Sequence, residues 1–174
     1  MKPKTVGLFL ACSLLAPVAA FAGEAANVTV IFDHPENFAD VKDAYVPTDK
    51  GRDDILAELR QFIESRASSY LKEGQHLEIK FTDVDLAGDF EPHDGTRFDT
   101  VRLMKGVYPP RLVFGFKLTG PTGQVLKEGQ RRLTDLAYQN RMLRPGEDDR
   151  LRYEKDLLID WMHDDLGSAR SAGG

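Results

Sequence analysis

From residue 111 to residue 133 the chain alternates, turns and alternates again. Leu112, Phe114, Phe116 and Leu118 are large and apolar, and their neighbours are mostly polar or small. Strand side chains point by turns to opposite faces, so this segment is a half-buried strand with one greasy side. Residues 119–124, Thr-Gly-Pro-Thr-Gly-Gln, have turn chemistry. Residues 125–133 return as the hairpin partner. They are mostly polar, which predicts an edge strand protected by its charges. A hairpin with one apolar face is marginal alone in water, so other elements must cover it.

Two segments have the pattern of such a cover. In residues 52–71, Ile55, Leu56, Leu59, Phe62, Ile63, Ala67, Tyr70 and Leu71 recur at steps of three and four and make one apolar stripe. Asp53 and Asp54 suit the positive N-terminal end of that helix, and Gly74 lies just past its stop. A final helix over residues 151–166 carries Tyr153, Leu157, Leu158, Trp161 and Met162 on one side. Trp161 is expected in the core with that stripe, and Gly167 is expected to end the helix.

Two further strands complete the pattern. Residues 27–32, Asn-Val-Thr-Val-Ile-Phe, are β-branched. Residues 76–86 form a strand with a defect. Leu77, Ile79 and Phe81 are apolar at odd positions, and Val84 and Leu86 at even ones. A change of parity in a period-two pattern predicts a bulge or sharp bend near Thr82 and Asp83. Residues 33–50 read as a loop, residues 101–103 as the start of another strand, and residues 134–150 as a short helix and a loop. Residues 168–174 are expected to fray. The expected fold is α+β: a two-layer sandwich with a mostly antiparallel sheet of about four to five strands and two amphipathic helices on one face.

The start of the chain has the three parts of a secretory signal peptide. Lys2 and Lys4 are followed by an uncharged run over residues 6–22, which ends in Ala20-Phe21-Ala22 before Gly23. Cleavage near Ala22 would leave one domain over residues 23–174, in the periplasm or secreted. Cys12, the single cysteine, would leave with the leader, removing thiol catalysis, thiolate metal sites and disulfides. No later apolar run reaches membrane length, so no span is expected after cleavage. The net charge of −5 lacks the basic footprint of a nucleic-acid binder.

Residues 81–92, 107–111, 126–129 and 152–155 resemble a bacterial family of secreted proteins catalogued as domain of unknown function 3016. The likeness covers nearly all of the chain after the leader. It implies an envelope or secreted location and brings no catalytic residues. More loosely, the strand-helix-strand start and the late hairpin are similar to small envelope accessory domains.

The densest polar stretch runs from Asp83 to Asp99. Asp83 and Asp85 crowd like charges on one strand face, which a cation, an arginine or backbone N–H groups must offset. The candidate metal ligands are Asp83, Asp85, Asp89, Glu91 and Asp94, for calcium or magnesium. Laid on a calcium loop, Ala87 stands where an oxygen ligand belongs, and a strand precedes the stretch instead of a helix, so an EF-hand does not fit. The alternative is that these aspartates cap turns and pair with Arg97, Arg102 or Arg111. Arg131 and Arg132, near Lys127, must point to opposite faces. His93, Arg111 and Arg132 make the candidate binding surface. The four histidines are scattered without zinc spacing, and no nucleophile elbow or phosphate loop occurs. No catalytic residue and no cofactor is assigned. The preferred reading is a non-enzymatic envelope accessory or binding module, whose partner is an envelope protein or an anionic envelope component. The alternative is a metal-dependent or carboxylate-based hydrolase using residues 83–94.

Overall fold

A computed structural model describes residues 27–91, 101–141 and 149–167. The leader with Cys12, His93, Asp94, Arg97, Asp99, Arg144 and the tail beyond Gly167 lie outside the described residues.

The chain forms strand β1 (Asn27–Phe32), helix α1 (Asp49–Ser68), β2 (His76–Asp85), β3 (Arg111–Thr119), β4 (Val125–Thr134) and helix α2 (Arg152–Trp161). It is an α+β fold. The four strands lie side by side in chain order in one sheet. β1 pairs parallel with β2 because α1 carries the chain back to the start of the sheet before β2 begins. β2 with β3, and β3 with β4, are antiparallel. The sheet is therefore mixed, with two of its three pairings antiparallel and β1 the parallel member. The strand expected at residues 101–103 is also absent; Leu103 makes a single bridge to Asp89.

Helix α1 begins before residue 52 because Thr48 caps it, its Oγ1 accepting from Gly51 N–H at 2.9 Å. It stops at Ser68, short of Tyr70 and Leu71, which still pack against the core. α2 runs on as a π-helical turn, Met162–Leu166, and Gly167 caps it with right-handed helical angles. Glycine permits a left-handed stop without requiring one. Among the described residues of the stretch 134–150, where a short helix is expected, the 3₁₀ turn Tyr138–Asn140 forms.

One cluster of buried side chains joins these elements. Leu77, Ile79, Phe81 and Val84 from β2 and Leu112, Phe114, Phe116 and Leu118 from β3 meet Ile55, Leu59 and Ile63 of α1 and Leu158, Trp161 and Met162 near the C-terminus. Trp161 stands edge-on to Phe114 and Phe116, at 4.8 and 5.3 Å between ring centres. These offset geometries are the favourable ones for aromatic pairs. β4 is the sheet edge, with Val125 and Leu126 exposed. Among the described residues no helix is long and apolar enough to cross a membrane.

The register shift in β2 falls between Phe81 and Asp83, so Thr82 is the extra residue that the parity change implies. Its effect is positional. Asp83 and Asp85 have the parity of Phe81 and would follow it into the core. The bulge turns them outward and sends Val84 inward, where it is fully buried. β1 ends opposite Phe81, and Asp40 takes its place beside the bulged end. Asp40 N–H donates to Val84 O, and Leu86 N–H donates to Asp40 O, both at 3.1 Å.

Candidate functional site

The bulged end of β2 carries the acidic stretch, and each acid there meets a specific partner. Asp83 Oδ1 accepts from Ala39 N–H at 2.9 Å, and Asp83 Oδ2 accepts from Arg111 Nε and Nη2 at 3.3 and 3.1 Å. Asp85 lies directly across the ladder from Arg111 and also meets its Nη2, at 2.9 Å. One guanidinium thus serves two carboxylates. Burial raises the proton affinity of Asp85; Arg111 opposes this, and the nearby Asp40, Asp83 and Asp89 carboxylates add to it. Asp89 Oδ1 accepts from Phe90 N–H at 2.7 Å and from Lys42 Nζ at 3.4 Å. Glu91 turns away from the other acids to Lys105 Nζ, 2.6 Å, and to Tyr108 O–H, 2.9 Å.

Arg102 holds this region together. Its guanidinium donates to Asp40 Oδ2 at 2.8 Å, to Gly88 O at 2.8 Å and to Lys42 O at 3.0 Å, and lies over the Phe90 ring. Asp40 is 7% exposed, so this ion pair is nearly dry. It staples residues 39–42 to residues 87–88. Gly88 has φ +75, and an added Cβ would lie 2.7 Å from Leu103 O, so a side chain there would strain the staple. Beneath it lies Glu154 of α2, 1% exposed, whose Oε1 accepts from Ala87 N–H at 2.7 Å. Its Oε2 is buried and has no hydrogen-bond partner among the described residues. Burial pushes this carboxyl up to about 7.

The stapled segments form one wall of a cavity of about 550 Å³ at the end of the sheet. Asp85, Asp89, Arg111 and Arg132 all line it. The opposite rim has Val107 and Leu136, 74% and 75% exposed. Lys42 and Arg111 are held by aspartates, whereas Arg132 is exposed and makes no ion pair or side-chain hydrogen bond among the described residues. Strand alternation separates it from Arg131. The latter crosses to the helix side, lies over Phe116 and grips Asp165 at 2.7 and 2.8 Å. The hydrogen bonds from Arg131 bring Asp165 down to about 2.

A family model described as a protein of unknown function, DUF3016, matches residues 26–164. The chain belongs to this family. No curated protein and no solved structure matches it. The description of DUF3016 assigns no chemistry, so the functional reading rests on the cleft itself.

Of the residues singled out in the sequence, the fold brings Asp85, Asp89, Arg111 and Arg132 to one cavity. Asp83 sits beneath Arg111, Glu91 turns to Lys105, and His93 and Asp94 lie outside the described residues. Among the described residues no group of three or more His, Cys, Asp or Glu stands together as a cation site. Each acid meets Arg111, Lys42 or Lys105, but Asp83 and Asp85 share the one Arg111 guanidinium. Sequence reasoning missed Asp40, Lys42 and Glu154. Asp40 and Lys42 left no signal in a stretch that reads as a loop. Glu154 did: with Leu151, Leu158 and Trp161 it falls at steps of three and four, a polar residue at a core position.

Proposed function

We propose that this protein is an exported, non-enzymatic binding module of the bacterial envelope, which holds an anionic envelope component against Arg132 in the cleft at the end of its sheet. The observation that carries this reading is Arg132 itself, an exposed cation in a concave site that meets no carboxylate among the described residues. Ligand sites combine apolar walls with a few unspent polar groups, and this cleft has both. Two helices laid on one face of the sheet would leave its other face, where Arg132 and Arg111 emerge, free for a partner. Export is supported by Lys2, Lys4 and the uncharged run before Ala20-Phe21-Ala22. Hydrolysis asks for two carboxyl groups open to a substrate from opposite sides. Asp40 is closed off by Arg102, and Asp85 and Asp89, the other acids of the cleft, are paired with Arg111 and Lys42, so the geometry favours binding. The reading assigns no nucleic acid, no metal and no cofactor.

Titration with glutarate, a simple dicarboxylate, is expected to shift the Arg132 side-chain NMR resonance saturably. The Val107 and Leu136 methyl resonances should shift with it, and Arg132→Gln should abolish those methyl shifts at an unchanged melting temperature, because the side chain supports no ion pair among the described residues. A resonance that stays put at millimolar glutarate would count against the cleft as an anion site. Export is tested separately: mass spectrometry of protein recovered outside the inner membrane should find Gly23 as its first residue. An intact Met1 terminus there would end that part of the proposal.

A further inference from the structure

We infer that the ligand of this cleft is a zwitterion of the amino-acid or short-peptide type, its carboxylate on the Arg132 guanidinium and its ammonium on the Asp85 carboxylate. This rests on the reading of the cleft as a binding site and deepens it: the anionic group held by Arg132 is the carboxylate of a molecule that also carries an ammonium. The argument is one of local charge. Asp40 is balanced by Arg102. Asp83, Asp85 and Asp89 then share Arg111 and Lys42, which leaves one negative charge in excess beside Asp85. Across the same cavity Arg132 supplies one positive charge in excess. Asp85 spends Oδ2 on Arg111, and its Oδ1 accepts no hydrogen bond among the described residues. A simple anion would satisfy Arg132 and meet Asp85 and Asp89 with like charge. A simple cation would do the reverse. A molecule bearing both charges relieves both ends at once.

The spacing suits a small molecule. Asp85 pairs with Arg111, and Arg132 pairs with Val113, so the two residues flank β3 from opposite sides. Two strand spacings across the sheet and a two-residue offset along β3 put their backbones about 12 Å apart. An arginine side chain reaches over much of that distance and leaves room for one or two residues between the charges. Val107 and Leu136, on the rim, favour an apolar side chain on the ligand.

The experiment titrates the unmodified protein with three probes: the dipeptide Ala-Leu, its N-acetyl form and its C-terminal amide. The free dipeptide is expected to bind at least about tenfold more tightly than either capped form, because each cap removes one charge-assisted hydrogen bond. Asp85→Asn should erase the preference over the N-acetyl form, and Arg132→Gln the preference over the amide, with melting temperatures confirming that both variants fold. If the N-acetyl form binds as tightly as the free dipeptide, the ammonium assignment is wrong and the anion site stands. If glutarate binds and no peptide does, the zwitterion is likewise overturned. If neither glutarate nor any peptide moves the cleft resonances, the cleft is not a binding site and both readings fall.

Discussion

Arg102→Ala is expected to destabilise the protein by about 3–5 kcal/mol, the loss seen when one partner of a buried ion pair is removed. Asp40 would be left nearly dry and negative, and the carbonyls of Lys42 and Gly88 would each lose a donor. For a chain of this size that corresponds to a fall of roughly 10 °C in melting temperature. Arg102→Lys should recover little of it, since an ammonium cannot reproduce the planar fork that reaches both oxygens of Asp40 and the carbonyls around it. Urea unfolding of the two variants measures this. A loss below about 1 kcal/mol, the range of surface ion pairs, would mean that the staple is ornamental and the cleft wall is held by something else.

Glu154→Gln should stabilise the protein at pH 8 and leave it nearly unchanged at pH 4. The sign follows from the direction of the shift. The Glu154 carboxyl is raised from its ordinary 4.5 to about 7, chiefly by burial; the Ala87 N–H and Arg102 oppose the rise. The folded protein therefore holds this proton more tightly than the unfolded chain. Below pH 4.5 both states are protonated and the group is neutral in its effect. As pH rises from 4.5 to 7 the unfolded chain ionises first, and folding comes to carry the whole penalty of a dry carboxyl, about 3 kcal/mol above pH 7. Glutamine imitates the protonated acid and can still accept from Ala87 N–H, so the variant should escape a penalty of that order at pH 8. Urea unfolding at pH 4 and pH 8 compares the two proteins, and a difference independent of pH would refute the account. The unpartnered Oε2 of Glu154 explains why the ionised form is poorly tolerated: nothing described donates to it.

Much of the scaffold was legible because it depends on short-range periodicity. The odd run Leu77, Ile79, Phe81 followed by the even pair Val84 and Leu86 placed a bulge or sharp bend near Thr82 and Asp83, and the pairing with β3 showed it to be a bulge with Thr82 as the extra residue. The polar face of residues 125–133 announced a sheet edge, and the alternation of Arg131 and Arg132 announced that they part company. The orientation of β1 was not legible in the same way. It depends on where α1 returns the chain, whereas the turn at residues 119–124 fixes the orientation of β3 and β4 locally.

The site shows the same division more sharply. The run of acids from Asp83 was plain, but whether they gather round an ion or are answered one by one is a matter of what stands opposite. Arg111 reaches Asp83 from 28 positions away, and Arg102 reaches Asp40 from 62. Glu154 meets Ala87 across 67. Hydrophobic pattern and turn chemistry act within a few residues, so the chain alone determined which segments are helix and strand, which face of each is greasy, and where the sheet kinks. Coulombic pairing and burial act through space, so only the packed structure decided which charges are spent inside the protein and that Arg132 is left over at the mouth of a cleft.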